Sequence, residues 1–216
     1  LMLLFVAGSL SAVAAERDWT VWDVAESQIE TPQNGMFVVL QQGGNKAGWS
    51  SNGYLNPSGS FKAAVDATCV YELVKVGEDA QGDNVFVLKN FSNKQYMYSG
   101  GHTLSYGEAF QCTILKGEAG STDLRRLMDG NEKQPDSEGN DWVLAGKLPE
   151  NGEKPDYLCY WGCPAYSNYS DTNNWRIFAA TPHQPTADEK LETVYNEVFK
   201  NGFSDIEFAV GDQPGN

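Results

Sequence analysis

Residues 84–89 have the sequence Asn-Val-Phe-Val-Leu-Lys, and similar β-rich apolar runs stand at 35–40 (Gly-Met-Phe-Val-Val-Leu) and 140–145 (Asn-Asp-Trp-Val-Leu-Ala). Each run is followed by a polar stretch, a Tyr-Leu or Tyr-Met pair and a shorter closing run. The pairs start at Tyr54, Tyr96 and Tyr157, and the closing runs are Tyr-Glu-Leu (71–73), Phe-Gln-Cys (110–112) and Trp-Arg-Ile (175–177). A period of roughly 50 residues is typical of equivalent supersecondary units that bury their apolar faces against one another. The sequence therefore predicts three such units.

Short strands separated by turns account for most of the chain. Clusters of Gly, Asn and Pro interrupt the apolar runs, and no long helical pattern occurs before residue 185, which favours an all-β domain. Propellers close with roughly four to eight blades, so three units are too few for that fold. The third unit is the longest, and we expect its polar insertions at 116–140 and 146–156 to be surface loops. Residues 19–24 are compatible with an introductory strand.

The three-unit pattern resembles the β-trefoil fold, in which three four-stranded units form a six-stranded barrel capped by hairpins. The resemblance covers roughly residues 18–180 and implies a β-trefoil domain over residues 16–180. The sequences at 86–90, 94–97 and 109–114 are similar to trefoil-type modules common in exported proteins of gut Bacteroidetes. Asn173-Asn174-Trp175 resembles the Gln-x-Trp signature of ricin-type lectins, with Asn at the Gln position and one copy where that family often has three. This resemblance implies carbohydrate binding.

Residues 1–15 form an apolar segment that ends in small residues, with Val13 and Ala15 at the minus-three and minus-one positions of a cleavage site before Glu16. The pattern is typical of the remnant of a secretory signal peptide. The segment is also shorter than the roughly 20 apolar residues of a membrane anchor. We therefore expect a protein that is secreted, periplasmic or at the cell surface, with no membrane attachment after cleavage.

The pattern changes after Pro185. Thr186 and Glu189 form a capping box, in which each side chain binds a backbone N–H at the start of a helix. Apolar residues then recur at helical spacing, which predicts a helix over 187–200 that is ended by Asn201-Gly202. We interpret residues 181–216 as a linker and a helix that lead to a missing C-terminal region of a longer polypeptide.

The formal net charge is -14. Nucleic acid and anionic lipid bind clustered Lys and Arg, so this acidic balance excludes both as partners. The chain holds no Gly-x-Ser-x-Gly elbow, His-Glu-x-x-His helix or phosphate-binding Gly loop. We expect His183 to be a linker residue and His102 an exposed turn residue, and neither has zinc-finger spacing to the cysteines. The sequence therefore predicts no enzymatic activity, no metal and no cofactor.

Two pairs of cysteines raise the question of disulfides. Cys69 and Cys112 share strand parity with neighbouring apolar residues, so we expect both to point inward as small hydrophobes; whether they pair stays open. In a straight strand the Cα atoms of Cys159 and Cys163 would lie about 13 Å apart, beyond bridging distance. A bridge between these two requires that Gly162 and Pro164 turn the chain, and this also stays open.

The stretch from Tyr157 to Trp175 has a recognisable binding chemistry. A sugar presents an apolar face of C–H groups and a rim of hydroxyls, so its site needs a flat aromatic platform beside short polar side chains. Tyr157 and Trp175 themselves occupy repeat positions that we expect in the core. The predicted carbohydrate-binding residues are Trp161, Tyr166 and Tyr169 for the platform and Asp156, Asp171, Asn173 and Asn174 for the rim.

Two functions remain open at this point. The first is a non-catalytic exported module that binds a glycan, with the aromatic rings of residues 160–174 as its platform. The second is a structural or protein-interaction spacer of a larger cell-surface or secreted protein. In a spacer the same rings would be buried, whereas a sugar site requires Trp161 or Tyr166 open beside Asp171 or Asn174 in a shallow groove.

Overall fold

A computed structural model of the chain describes residues 21–42, 53–58, 60–98, 108–128, 141–160, 164–167 and 173–195, with the backbone alone at 160, 164–167 and 193–195. These residues form a mostly β structure with one short 3₁₀ turn (Ala67–Cys69) and one helix. The strands are β1 (Trp22–Gln28), β2 (Phe37–Gln42), β3 (Tyr54–Leu55), β4 (Phe61–Lys62), β5 (Val70–Glu78), β6 (Asn84–Asn90), β7 (Cys112–Lys116), β8 (Glu118–Ala119), β9 (Leu127–Met128), β10 (Trp142–Ala145), β11 (Tyr157–Tyr160), β12 (Pro164–Ser167) and β13 (Asn174–Pro182). The predicted all-β class is confirmed.

Six of these strands form a closed ring. The antiparallel pairings run from β2 to β5, β6, β7, β10 and β13, and β13 pairs back to β2. The three opening runs of the sequence lie on β2, β6 and β10, and two of the closing runs lie in β5 and β13. The remaining closing run ends at Cys112, the first residue of β7. Each ring strand therefore comes from one of the six apolar runs that the sequence repeats.

A shorter antiparallel pairing follows the first ring strand of each unit. In the first unit β3 pairs with β2 and β4, and in the third β11 pairs with β10 and β12. The second unit has two isolated pairings, Lys89 with Tyr96 and Tyr98 with Ala109. The Tyr-Leu pairs start β3 and β11, and Tyr96 of the Tyr-Met pair makes one of the two isolated pairings. β1 lies outside the ring and pairs with β13, and it overlaps residues 19–24, where an introductory strand was predicted.

The core fills the inside of the ring. Side chains alternate across a strand, so residues two apart share a face. Each ring strand contributes two buried residues at this spacing to one cluster: Val38 and Leu40, Tyr71 and Leu73, Phe86 and Leu88, Cys112 and Ile114, Trp142 and Leu144, and Trp175 and Ile177. Burial of that apolar surface is the main term that stabilises the domain.

A segment of the third unit covers the outside of β10, and we call residues 117–128 the added segment. Its ends pair in parallel as β8 and β9, and Met128 packs with Val143, Ala145 and Tyr157 in a second buried cluster. Gly117 allows the close approach, because a Cβ there would lie 2.2 Å from the Met128 Sδ atom. A polar surface loop was predicted for residues 116–140. The prediction was wrong for the added segment, because Arg125 and Met128 are buried. Residues 129–140 lie outside the described residues.

Residues 183–216 form a second compact unit. The helix α1 (Ala187–Tyr195) begins where it was predicted to begin. The Thr186 Oγ1 atom accepts the Glu189 N–H at 3.2 Å, and the Glu189 carboxylate accepts the Thr186 N–H at 2.7 Å. The predicted capping box is thus confirmed, whereas the predicted extension to residue 200 and the stop at Asn201-Gly202 lie outside the described residues.

Candidate functional site

The predicted sugar-binding stretch, residues 160–174, is called here the aromatic loop. Its backbone is described at the start, where β11 and β12 form a hairpin, and at the end, where β13 begins. Tyr166 lies in β12 opposite Leu158, with its backbone alone described. Trp161, Tyr169 and Asp171 lie outside the described residues. The aromatic platform therefore stays a prediction, and the structure describes the frame that holds it.

Two of the predicted rim residues have a structural position. Asn173 has no exposed surface, and its Nδ2 atom donates to the Leu127 carbonyl oxygen at 2.8 Å. Asn174 is 2% exposed, and its Nδ2 atom donates to the Asp141 carboxylate at 2.7 Å. A side chain buried to this degree has almost no surface to offer a sugar, so in this structure both asparagines position the backbone. Asp156, the rim candidate that precedes β11, is exposed.

A buried polar cluster lies where the aromatic loop enters β13. Asp141 is fully buried and accepts from Asn174, and the Arg176 Nε atom lies 3.7 Å from the Asp141 Oδ1 atom. A buried carboxylate needs such donors, because burial without them costs several kcal/mol. The pairing fixes the register between β10 and β13 beside the end of the loop.

The two aromatic residues that flank the loop lie in the core, as the sequence predicted. Tyr157 and Trp175 have no exposed surface. The Trp175 Nε1 atom donates to the Leu158 carbonyl oxygen at 2.7 Å, which ties β13 to β11. The Tyr157 hydroxyl donates to the Leu124 carbonyl oxygen at 2.5 Å, and burial raises the pKa of that hydroxyl. Both rings therefore lie in the core and anchor the chain on either side of the loop.

The added segment is bound to both ends of the aromatic loop. Leu124 accepts from Tyr157 before the loop, and Leu127 accepts from Asn173 at its end. Each is a hydrogen bond between a side chain and a backbone carbonyl of the added segment. Strand pairing also holds these ends, since Tyr157 pairs with Ala145 and Asn174 with Val143. The added segment is therefore a second support for the loop.

A charged cluster fastens the added segment, and we call Arg125 with Asp79, Asp83 and Asp123 the arginine clamp. The Arg125 Nε and Nη2 atoms donate to the two Asp123 oxygens at 3.0 and 2.8 Å. Its Nη1 atom donates to Asp83 Oδ2 at 2.7 Å and also to Asp79 Oδ2. The Arg125 side chain is 8% exposed. Since Asp79 and Asp83 lie in the turn between β5 and β6, the clamp joins that turn to the added segment.

The clamp changes the acidity of its carboxylates. The guanidinium of Arg125 lowers the pKa of the Asp123 carboxyl below its ordinary value. Burial alone would raise the pKa of Asp79, but the Asp83 backbone N–H and the Arg125 guanidinium outweigh that effect and lower it. Both carboxylates therefore stay ionised at neutral pH, and the charge of Arg125 is fully engaged by them. The arginine clamp was not predicted from the sequence, because its members have no periodic spacing.

The cysteines and histidines have structural surroundings. Cys69 and Cys112 are buried free thiols, so the inward orientation is confirmed and the two are not bridged to each other. Burial raises the pKa of both thiols, which keeps them protonated and weakly nucleophilic. Cys159 is 1% exposed, and Cys163, whose bridge to Cys159 stays open, lies outside the described residues, as does His102. The His183 Nε2 atom lies 3.1 Å from the Glu189 carboxylate, next to the capping box.

No protein-family model matches the chain, and no curated protein matches it. Within the described ranges, no helix has the length and apolar character needed to cross a bilayer.

Proposed function

We propose that this chain is a non-catalytic β-trefoil module that binds a neutral carbohydrate through the aromatic loop, residues 160–174. The observation that carries the proposal is the double anchoring of that loop. Tyr157 before it and Asn173 at its end both bind the added segment, which the arginine clamp holds on the ring. Binding loops on a rigid frame keep their contact groups in place, which lowers the entropic cost of capturing a ligand.

The trefoil part of the proposal is supported by the ring and its pairings. A β-trefoil requires six barrel strands from three units, with a hairpin after the first strand of each unit. The cyclic order of β2, β5, β6, β7, β10 and β13 agrees with that requirement. So does the contribution of two core residues, spaced two apart, from every ring strand.

The carbohydrate part is supported by the residue types in the loop. Trp161, Tyr166 and Tyr169 are rings of the kind that stack on the C–H face of a sugar. Asn173 and Asn174 bind groups within the protein. The polar rim of the proposed site therefore consists of Asp156 and Asp171. Carboxylates accept hydrogen bonds from sugar hydroxyls, so two of them suffice to orient one ring.

The absence of catalysis and the exported location are parts of the same proposal. Cys69 and Cys112 are kept protonated by burial, so neither thiol is poised as a nucleophile. The exported location rests on the apolar segment at residues 1–15 alone. The proposed function is therefore recognition. By binding a glycan, the module holds the polypeptide to which it is attached at that glycan.

The test is a glycan array probed with the protein and with its Trp161→Ala variant. Removal of the main stacking platform should weaken or abolish binding of the glycans that the aromatic loop holds, because the C–H face of the sugar loses its flat apolar contact. Phe91→Ala serves as a matched control, because Phe91 packs against Trp22 and Phe37 on a different side of the ring. The proposal fails if the parent binds no glycan, or if Trp161→Ala binds as well as the parent.

A structural or protein-interaction spacer is the second candidate, and one observation favours it. Asn173 and Asn174, the two rim residues that the lectin resemblance pointed to, are buried and bonded within the frame. A spacer predicts no glycan binding by the parent protein. The array thus separates the two functions with one preparation of protein.

A further inference from the structure

A cleft of about 310 Å³ opens on the outer wall of the ring. Val85 of β6, Thr113 of β7 and Leu148 after β10 line it, together with Gln81, Gln111 and Lys147. Among the described residues, none that lines the cleft belongs to the aromatic loop. Its volume is at the lower end of the range for small-molecule sites, which begin near 300 Å³. The cleft is therefore matched to a ligand of about one ring.

The charges at this cleft are largely paired with one another. Arg125 and Asp79 form part of the wall and are joined in the arginine clamp. Glu78 lies 2.8 Å from the Lys75 Nζ atom. A charged ligand would gain an oppositely charged partner in the wall only by displacing one of these ion pairs. The cleft therefore favours a neutral ligand over a charged one.

The uncharged polar groups of the cleft both donate and accept. The side-chain amides of Gln81 and Gln111 are exposed, and each carries two N–H donors and a carbonyl acceptor. The Thr113 hydroxyl donates to the Ala145 carbonyl oxygen at 3.3 Å, so its oxygen still accepts. Val85 and Leu148, both half-buried, supply an apolar floor between them. Amides and a hydroxyl around an apolar floor match a ring that has C–H groups on one face and hydroxyls at its edge.

From this chemistry we propose that the cleft is a second ligand site, specific for one neutral polyhydroxylated ring such as a single pyranose. The site is independent of the aromatic loop, and its occupation does not require Trp161. Gln111 and Gln81 bind ring hydroxyls, and Leu148 and Val85 contact the C–H face. Lys147, on the exposed rim, contributes little, because an exposed ammonium is screened by solvent.

The test is a titration of the ¹⁵N-labelled protein with three rings of the same shape and different charge. Glucose is the neutral probe, glucuronate the anionic one and glucosamine the cationic one. We expect glucose to shift the backbone amide signals of Gln111 and Lys147, with an affinity at least threefold above that of either charged ring. Tighter binding of glucuronate than of glucose would overturn the proposal in favour of an anion site at Lys147.

Two variants and two controls complete the test. Gln111→Ala should weaken glucose binding by about three- to tenfold, the loss of one net hydrogen bond, and Leu148→Ala should weaken it by removing the floor. Gln33→Ala, an exposed glutamine on the turn before β2, should leave binding unchanged. Trp161→Ala should also leave it unchanged, so failure of the aromatic-loop site and failure of this one are told apart. No shift at Gln111 or Lys147 with millimolar glucose, or equal binding by all variants, would remove the site.

Discussion

The inside of the ring and the outside of β10 are both buried, but they are held by different kinds of contact. Inside, apolar side chains such as Leu40, Leu88 and Leu144 meet at corresponding positions of the three units. Outside, a short apolar cluster around Met128 lies under the added segment, and a charged group, Arg125, fastens that segment to the ring. The repeated part of the molecule thus forms the scaffold, and the part specific to the third unit supports the candidate binding loop.

The largest effect is expected from a change inside the ring. Leu144→Ala removes a fully buried side chain at the centre of the core, and it should lower the free energy of unfolding by about 3 kcal/mol, as such truncations do. Urea denaturation followed by tryptophan fluorescence measures this. Leu191→Ala, at a helix position that is 69% exposed, is the matched control and should change stability by less than about 0.5 kcal/mol. Equal effects of the two substitutions would contradict the assignment of the core.

The next effect is expected at the arginine clamp. Arg125→Met keeps most of the side-chain volume but leaves three carboxylates without their shared cation. It should lower the free energy of unfolding by about 2–3 kcal/mol. This is less than the roughly 3–5 kcal/mol expected for a fully buried pair, because the aspartates are partly exposed. Arg126→Met changes a neighbour that is 35% exposed and should cost under about 1 kcal/mol. If the two variants unfold at the same urea concentration, the clamp does not fasten the added segment.

A pH series sharpens the same comparison. The pKa values of Asp79 and Asp123 are lower in the folded protein than the ordinary value of 3.8. Their contribution to stability is therefore complete above that value and is lost as the pH falls through the lowered folded-state values. The stability difference between the parent and Arg125→Met should therefore be constant near neutral pH and shrink below about pH 4. Denaturation midpoints of both proteins from pH 7 down to the acid limit of folding measure it. A difference that grows on acidification would show that other groups dominate.

The smallest effect is expected outside both regions, at the start of α1. Thr186→Ala removes the side chain that accepts the Glu189 N–H, and loss of such a cap costs about 1 kcal/mol of helix stability. Hydrogen exchange of the Lys190 amide, which donates to the Thr186 carbonyl oxygen, should accelerate about fivefold. Thr186→Ser keeps the acceptor and should leave the exchange rate near that of the parent. Equal rates in parent and Thr186→Ala would mean that the cap does not limit fraying.

The strands of the ring and their buried faces were predictable from sequence because their signal is periodic. Val38 and Leu40, or Phe86 and Leu88, alternate with residues of the opposite face, and this period of two is written in each unit. The capping box was predictable for a similar reason, since Thr186 and Glu189 act on each other across three positions. Local patterns of this kind need no knowledge of the tertiary structure.

The arginine clamp and the role of Asn173 were not predictable in this way. Arg125 meets Asp79 and Asp83 across 46 and 42 residues, and a polar side chain with a distant partner looks in the sequence like any exposed one. Asn173 was predicted to contact a sugar because of its residue type, whereas its amide binds Leu127 across 46 residues. Polar residues in loops acquire a role from partners that only the folded chain brings together.

The most direct test of the central claim, that the loop supported by the third unit binds a neutral glycan, is amide-signal mapping of the ¹⁵N-labelled protein with a glycan identified on the array. We expect the shifted signals to include residues 156–174 and to be lost there in Trp161→Ala, while strand β2, which lines neither proposed site, keeps its signals unchanged. Shifts confined to the first two units, or retained in full by Trp161→Ala, would contradict it.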